Sequence, residues 1–348
     1  MAGNAYLAVA AKVRAMYGGR MTGEDYRQLM GKTTIPQAAA FLQSHRGYRR
    51  ELAGLHPEGL HREQLENALR TTYRNEYHRI FSFLSLQDQA LMRFPIYQAE
   101  KEAILTSMRR LSSRHMLEPE ATWAPLLRRH SHLDLQALSQ AETYRQIADA
   151  ARDTIYGSAM ARSAASESPP TMAFVDNILL VTYYAHLYKV LGRYGRPDGQ
   201  KITRKALDQE TDLLNLVMFL RLRQHFSEED VRSFSFPLPC SGKLGKDYVQ
   251  QLLSAPDYAA ARELVLNGPY GPLFRSISPS GPEAYLYTMQ YRFNQRQLRA
   301  AVPTIYTPMA YLGLKEIELR NIISIIECIR YGVEPRSYVP LIGAEAKR

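Results

Sequence analysis

The sequence has 348 residues, a formal net charge of +10, 45% apolar residues, and 23 tyrosines against 11 phenylalanines and one tryptophan. The apolar share excludes a disordered chain, and the length exceeds one typical domain of about 150 residues. Two cysteines, Cys240 and Cys328, are too few for a disulfide scaffold and fit no metal spacing, so both read as neutral thiols of a reducing compartment.

From the start of the chain, the apolar stretch 5–11 precedes its first cations, Lys12 and Arg14. A secretory signal has the reverse order. The longest apolar runs, 178–181 and 322–326, fall far below the roughly 18–20 residues of a bilayer helix. The expected location is cytoplasmic, with contact to a membrane protein left open. The cations are spread along the chain, and the densest pieces, 46–50 and 128–130, lack interleaved aromatics. They point to a solvated surface or an acidic protein partner rather than to nucleic acid.

Three words recur in the same order with a period near 110 residues. The first is a tyrosine within a helical word: Glu24-Asp25-Tyr26-Arg27-Gln28, Glu142-Thr143-Tyr144-Arg145-Gln146 and Lys246-Asp247-Tyr248-Val249-Gln250. The second is an acid ahead of a Tyr-rich helix: Glu66 before Tyr73, Asp176 before Tyr183, Glu283 before Tyr291. The third is Glu100, Ala103, Arg109, then Asp212, Asn215, Arg221, then Glu318, Asn321, Glu327. Second and third words stand 34, 36 and 35 residues apart (66 to 100, 176 to 212, 283 to 318). So long a period implies three small helical subdomains, 1–113, 114–225 and 226–348, with pseudo-threefold symmetry.

Helical spacing dominates throughout and no alternating strand stands out. In the last long helix Leu319, Ile322, Ile323, Ile326 and Ile329 follow the helical stripe, while Ile317 and Ile325 lie off it, which predicts burial on most sides. Gly332 and Pro335 should end that helix. Residues 204–226 read similarly. Capping boxes are expected at Ser139…Glu142 and Ser227…Asp230. The fold class is all-α.

The repeated polar positions Glu100, Asp212, Asn215, Glu318 and Asn321 sit in otherwise apolar helices, with acid and amide three residues apart on one face. Buried there, they need partners. The matching helix of the next repeat, or a loop N–H, is the expected source, giving a structural polar network. A proton path is the competing reading, and nothing places these helices inside a bilayer.

No catalytic residue, cofactor or metal ligand is assigned. His130-Ser131-His132-Leu133-Asp134 lacks the final histidine of a metallohydrolase box. Gly242-Lys243-Leu244-Gly245-Lys246-Asp247 has Asp247 where a phosphate-binding loop needs Ser or Thr, and Cys240 stands where that loop needs its first Gly. Gly157-Ser158-Ala159 lacks the strand that a nucleophile elbow requires.

The segment Lys315-Glu316-Ile317-Glu318-Leu319-Arg320-Asn321-Ile322, followed by Ile329-Arg330-Tyr331-Gly332, resembles the K-E-x-E-x-R-N-I signature of the C subunit of prokaryotic V/A-type ATPases, a family that includes the d subunit of eukaryotic vacuolar ATPases. The opening Tyr6…Lys12-Val13-Arg14-Ala15-Met16 and the middle Asp212-Leu213-Leu214-Asn215 with Arg221 also resemble that family, so the likeness spans the chain. Ala103 departs from the pattern in the first copy. The resemblance implies an all-α funnel with a central hollow. It further implies a non-catalytic rotor role, joining the central shaft subunits of D and F type to the membrane proteolipid ring from its cytoplasmic face. A free-standing helical scaffold for protein–protein interaction is the alternative.

Overall fold

The computed structural model describes residues 6–112, 124–165, 170–225, 242–275 and 283–334. Every regular element among them is helical, as the periodicity predicts. The first part of the chain forms α1 (Leu7–Tyr17), α2 (Gly23–Met30), α3 (Ile35–Ser44), α4 (Arg49–Leu52), α5 (Arg62–Phe81), α6 (Leu86–Leu91) and α7 (Phe94–Ser112). The middle part forms α8 (Ala124–His130), α9 (Leu135–Gln140), α10 (Tyr144–Ala150), α11 (Gly157–Ala164), α12 (Met172–Tyr194) and α13 (Pro197–His225). The last part forms α14 (Lys246–Leu253), α15 (Tyr258–Asn267), α16 (Gly271–Arg275), α17 (Glu283–Leu298) and α18 (Tyr306–Tyr331). Each part thus runs from short helices into a long pair: α5 and α7, α12 and α13, α17 and α18.

Local chemistry sets several boundaries. Thr22 and Asp25 close a capping box on α2: Asp25 N donates to Thr22 Oγ1 at 3.2 Å, and Thr22 N to Asp25 Oδ2 at 2.7 Å. The box expected at Ser139…Glu142 lies one helix further on. Ser139 sits inside α9, whereas Thr143 and Gln146 cap α10, with Gln146 N donating to Thr143 Oγ1 at 3.3 Å. Residues 141–143 turn the chain between α9 and α10, so the cap falls at the later hydroxyl. The second expected box, Ser227…Asp230, lies outside the described residues. At the other end, Gly332 takes φ 66°, a left-handed turn that glycine adopts without strain, and ends α18 while Val333 N bonds Cys328 O at 2.9 Å.

The long helices pack across the three parts. α12 packs on α7, α17 on α13, and α5 on α18, so the last contact returns to the beginning of the chain. The short helices follow the same rule: α8, α9 and α10 pack on α7, α15 on α13, and α2 and α3 on α18. The main apolar core runs through these seams, with Leu65, Leu69, Ile96, Ile104, Leu179, Ile322 and Ile325 all buried. A second core lies under α13–α16, built on Leu213, Leu216, Phe219, Val249, Leu252 and Val265. As its off-stripe isoleucines predict, α18 is buried on most sides: Ile317 and Ile325 are covered along with Leu319, Ile322, Ile326 and Ile329.

Candidate functional site

The three repeated acids are all buried, and each is met by a group from the part of the chain that packs on its helix. On α7, Glu100 Oε1 accepts from the Ser131 hydroxyl at 2.5 Å, 31 residues further on. On α13, Asp212 Oδ2 accepts from Lys243 N at 2.6 Å, also 31 residues on, from Leu244 N at 3.3 Å and from the Tyr270 hydroxyl at 2.8 Å. On α18, Glu318 Oε2 accepts from Met21 N at 2.8 Å, across 297 residues, and Oε1 accepts from the Tyr48 hydroxyl at 2.5 Å. Loop N–H groups therefore bond two of the three acids and a loop hydroxyl the third, while Glu100 Oε2 and Asp212 Oδ1 are buried with no hydrogen-bond partner among the described residues. Tyr156 stands near Glu100 but donates instead to Tyr97 O at 2.8 Å.

Burial raises Glu100 to about 7, against the pull of Ser131 and Arg93, and raises Asp212 against its donors. Close approach of the loop to Asp212 explains Gly242, because a Cβ there would run into Asp212 Oδ2. The amides differ between copies. Asn321 Nδ2 donates to the Tyr26 hydroxyl at 3.2 Å, and Tyr26 belongs to the first recurring word. Asn215 is fully buried on α13. The equivalents of Tyr26 turn elsewhere: Tyr144 pairs with Ser163 at 2.5 Å, and Tyr248 donates to Leu264 O at 2.8 Å.

Around Glu318 the structure adds Glu76 and Tyr48, which the sequence did not single out, and brings Lys315 of the signature to them. The Lys315 ammonium is buried 2.9 Å from Glu318 Oε1 and 3.9 Å from Glu76 Oε1, and lies 4.1 Å from the centre of the Tyr48 ring. The Tyr311 hydroxyl donates to Glu76 Oε2 at 2.7 Å. Burial alone would lower the Lys315 pKa, but Glu318 and Glu76 outweigh it, so the ammonium is held charged. The network ties α5, α18 and the loop ahead of α4 together. Its one clue in the sequence is the three-residue spacing of Lys315 and Glu318.

Glu316 and Arg320, one turn apart on the other side of α18, are exposed. Surrounding protein nevertheless desolvates the Glu316 carboxyl and raises its pKa, against Arg320 and Arg70. The field of Glu316 is felt by Tyr73 on α5, Tyr183 on α12, Glu210 on α13 and Tyr287 on α17, and Glu102 on α7 acts on it in turn. Glu210 is pushed to about 7 by burial, while accepting from the Tyr184 hydroxyl at 2.8 Å and from Gln290 Nε2 at 2.9 Å. One solvent-touched carboxylate is thus coupled electrostatically to groups on the other long helices.

The motifs set aside on sequence grounds have local roles. The His130 ring packs against His78 and Phe81, and Asp134 caps α9 through Ala137 N at 2.9 Å. The loop after Gly242 gives its N–H groups to Asp212. Cys328 is buried in α18, and Cys240 lies outside the described residues. Among the described residues no group of His, Cys, Asp and Glu is placed to hold a metal ion, and no helix is long and apolar enough to cross a membrane.

The polar groups of this site join one helix to another within an all-α fold. The chain belongs to the ATP synthase (C/AC39) subunit family, whose model matches residues 9–337. It is 22% identical, over 97% of its length and 90% of the relative's, to the C subunit of the A-type ATP synthase of Thermococcus kodakarensis. A second relative, the C subunit of the A-type ATP synthase of Pyrococcus abyssi, is 23% identical over 51% of each chain.

Proposed function

We propose that this chain is a non-catalytic rotor subunit of a V/A-type ATPase, seated on the cytoplasmic face of the membrane proteolipid ring and gripping the central shaft subunits of D and F type. The single observation that carries the reading is the set of three bonds from Glu100 to Ser131, Asp212 to Lys243 and Glu318 to Met21. In the first two, a long helix is clamped by a loop further along the chain, and the third bond joins the last part of the chain to the first. Three repeats, 1–113, 114–225 and 226–348, would then form a pseudo-threefold funnel. Buried charge-assisted hydrogen bonds at each seam suit a part that must transmit torque without shearing.

The funnel's hollow is where Glu316, Arg320, Glu210 and Arg70 fit. With Glu316 and Arg320 exposed and Glu210 and Arg70 half-buried, such charges favour a polar, charged shaft tip over an apolar one. The test is a tagged pull-down from gently solubilised membranes of the native host, with bound proteins identified by mass. Shaft subunits and ring proteolipid recovered together support the reading. Recovery alone, or with unrelated proteins, would overturn it in favour of a free-standing scaffold.

A further inference from the structure

The turns that join the long helices lie together at one end of the molecule, and α1 ties them to one another. The Tyr6 hydroxyl donates to Asp88 in α6 at 2.7 Å. Arg196, between α12 and α13, sits 5.7 Å from the Tyr6 ring centre and 3.9 Å from Asp88. Gln87 donates to Tyr194 O at 3.0 Å, and Arg14 donates to Leu298 O at 2.9 Å and to Ala300 O at 2.5 Å.

That same end carries most of the large exposed apolar side chains among the described residues. Leu7 on α1 is 50% exposed, Phe83 58%, Leu86 86% and Val302 68%. They come from three separate stretches of chain. The outward stripe of α1 continues the pattern, with Leu7, Ala11 and Ala15 exposed at four-residue spacing and no acid anywhere in the helix. Isolated exposed leucines are ordinary, but several apolar tips gathered on one end are not.

The charges there are mostly positive. Lys12, Arg14, Arg193, Arg196 and Arg299 surround the apolar tips; Asp88 is buried, and Asp198 at the start of α13 is the exposed acid of these turns. The Lys12 ammonium lies 3.5 Å from the centre of the Phe83 ring, so cation and apolar tip protrude as a unit. Separate tips projecting from turns, interspersed with cations, suit a fluid interface that moulds around them. The apolar groups would enter the headgroup boundary while Lys and Arg meet lipid phosphates.

We propose that this end of the molecule docks on an anionic lipid surface. The inference goes beyond the rotor reading, since it concerns a lipid contact that the shaft and ring do not require. The experiment is co-sedimentation of the full chain with vesicles of phosphatidylcholine alone and of phosphatidylcholine mixed with phosphatidylglycerol. Binding is expected to the mixed vesicles only, and to weaken as salt is raised. Leu86→Asp should weaken it on the order of tenfold, and Lys12→Glu, which reverses a charge, by roughly twentyfold. Melting curves of both variants should match the parent, because Leu86 carries little of the fold. Three results would overturn the proposal: no binding to the mixed vesicles, equal binding to both kinds, or binding that Leu86→Asp leaves unchanged. If Leu86→Asp instead abolishes capture of the detergent-solubilised proteolipid ring and leaves vesicle binding intact, the patch is a protein interface and the lipid proposal fails. A failed vesicle test with shaft subunits still captured leaves the rotor reading standing.

Discussion

Met21 gives its backbone N–H to the Glu318 carboxylate across 297 residues, at 2.8 Å. No other hydrogen bond of the Glu318 network reaches so far along the chain. It joins the residue just ahead of α2 to the middle of α18. Lys315 and Tyr48 hold the same carboxylate, so the junction has no spare partner if Glu318 is removed.

Glu318→Ala should therefore be among the most destabilising single changes in the protein, by about 3–5 kcal/mol, because it strands Lys315 with Glu76 alone. Glu318→Gln keeps the donors and should cost less. Urea unfolding with fitted midpoints and slopes distinguishes the two. A loss below about 1 kcal/mol for Glu318→Ala would mean that the buried ammonium finds water or another acid.

Tyr48→Phe removes one donor and leaves the ring in place. A loss of about 1–2 kcal/mol is expected, with most of it absent when the change is made on a Glu318→Gln background. The double-mutant cycle is the measurement. Additive losses would show that the hydroxyl and the carboxylate act independently.

Gly242→Ala places a methyl against Asp212 Oδ2 and should destabilise by about 1–3 kcal/mol through displacement of the loop that serves the acid. Thermal melting of Gly242→Ala beside Gly54→Ala, a position with open space around it, checks this. Equal melting temperatures would rule out the close contact.

Glu100 binds its proton more tightly when folded, with a pKa of about 7 against roughly 4.5 when unfolded. Between those values the folded state holds more protons, so stability should fall as pH rises through that window and level off above it. The contribution is roughly 3 kcal/mol. Glu100→Gln, which cannot ionise, should match the parent near the bottom of the window and exceed it above the top. Chemical denaturation at several pH values reads this directly, and a variant that loses stability at every pH would contradict it.

Under the rotor reading, Glu316→Ala and Arg320→Ala leave melting within a few degrees but weaken retention of the shaft while the ring is kept. Pull-down with the two variants, scored for each partner separately, is the check. Loss of both partners together would argue against these charges as a shaft contact.

The helices were legible because their signals are local. Apolar spacing on α18, the glycine at its end and the recurring tyrosine words all act within a turn or two of chain. The buried state of Glu100, Asp212 and Glu318 was legible too, because a charged residue in an apolar helix demands a partner. Their partners were legible only as a type. Met21 and Lys243 serve through backbone N–H groups, which no side chain advertises. The signature around Lys315 hid a division that only three dimensions resolve: Lys315, Glu318 and Asn321 turn into the protein, while Glu316 and Arg320 turn to solvent. Thr143 displaced Ser139 as a cap because two competing hydroxyls stood four residues apart, and the local pattern does not rank them.

The bond from Met21 to Glu318 also bears on mechanics. A tube slit along its length twists easily, because its two lips slide past one another; the same wall with its lips joined resists twisting far more strongly. If the three repeats enclose a bore as proposed, this junction is the weld along the slit. Loosening it without unfolding the helices would let the part wind up elastically before it passed rotation on.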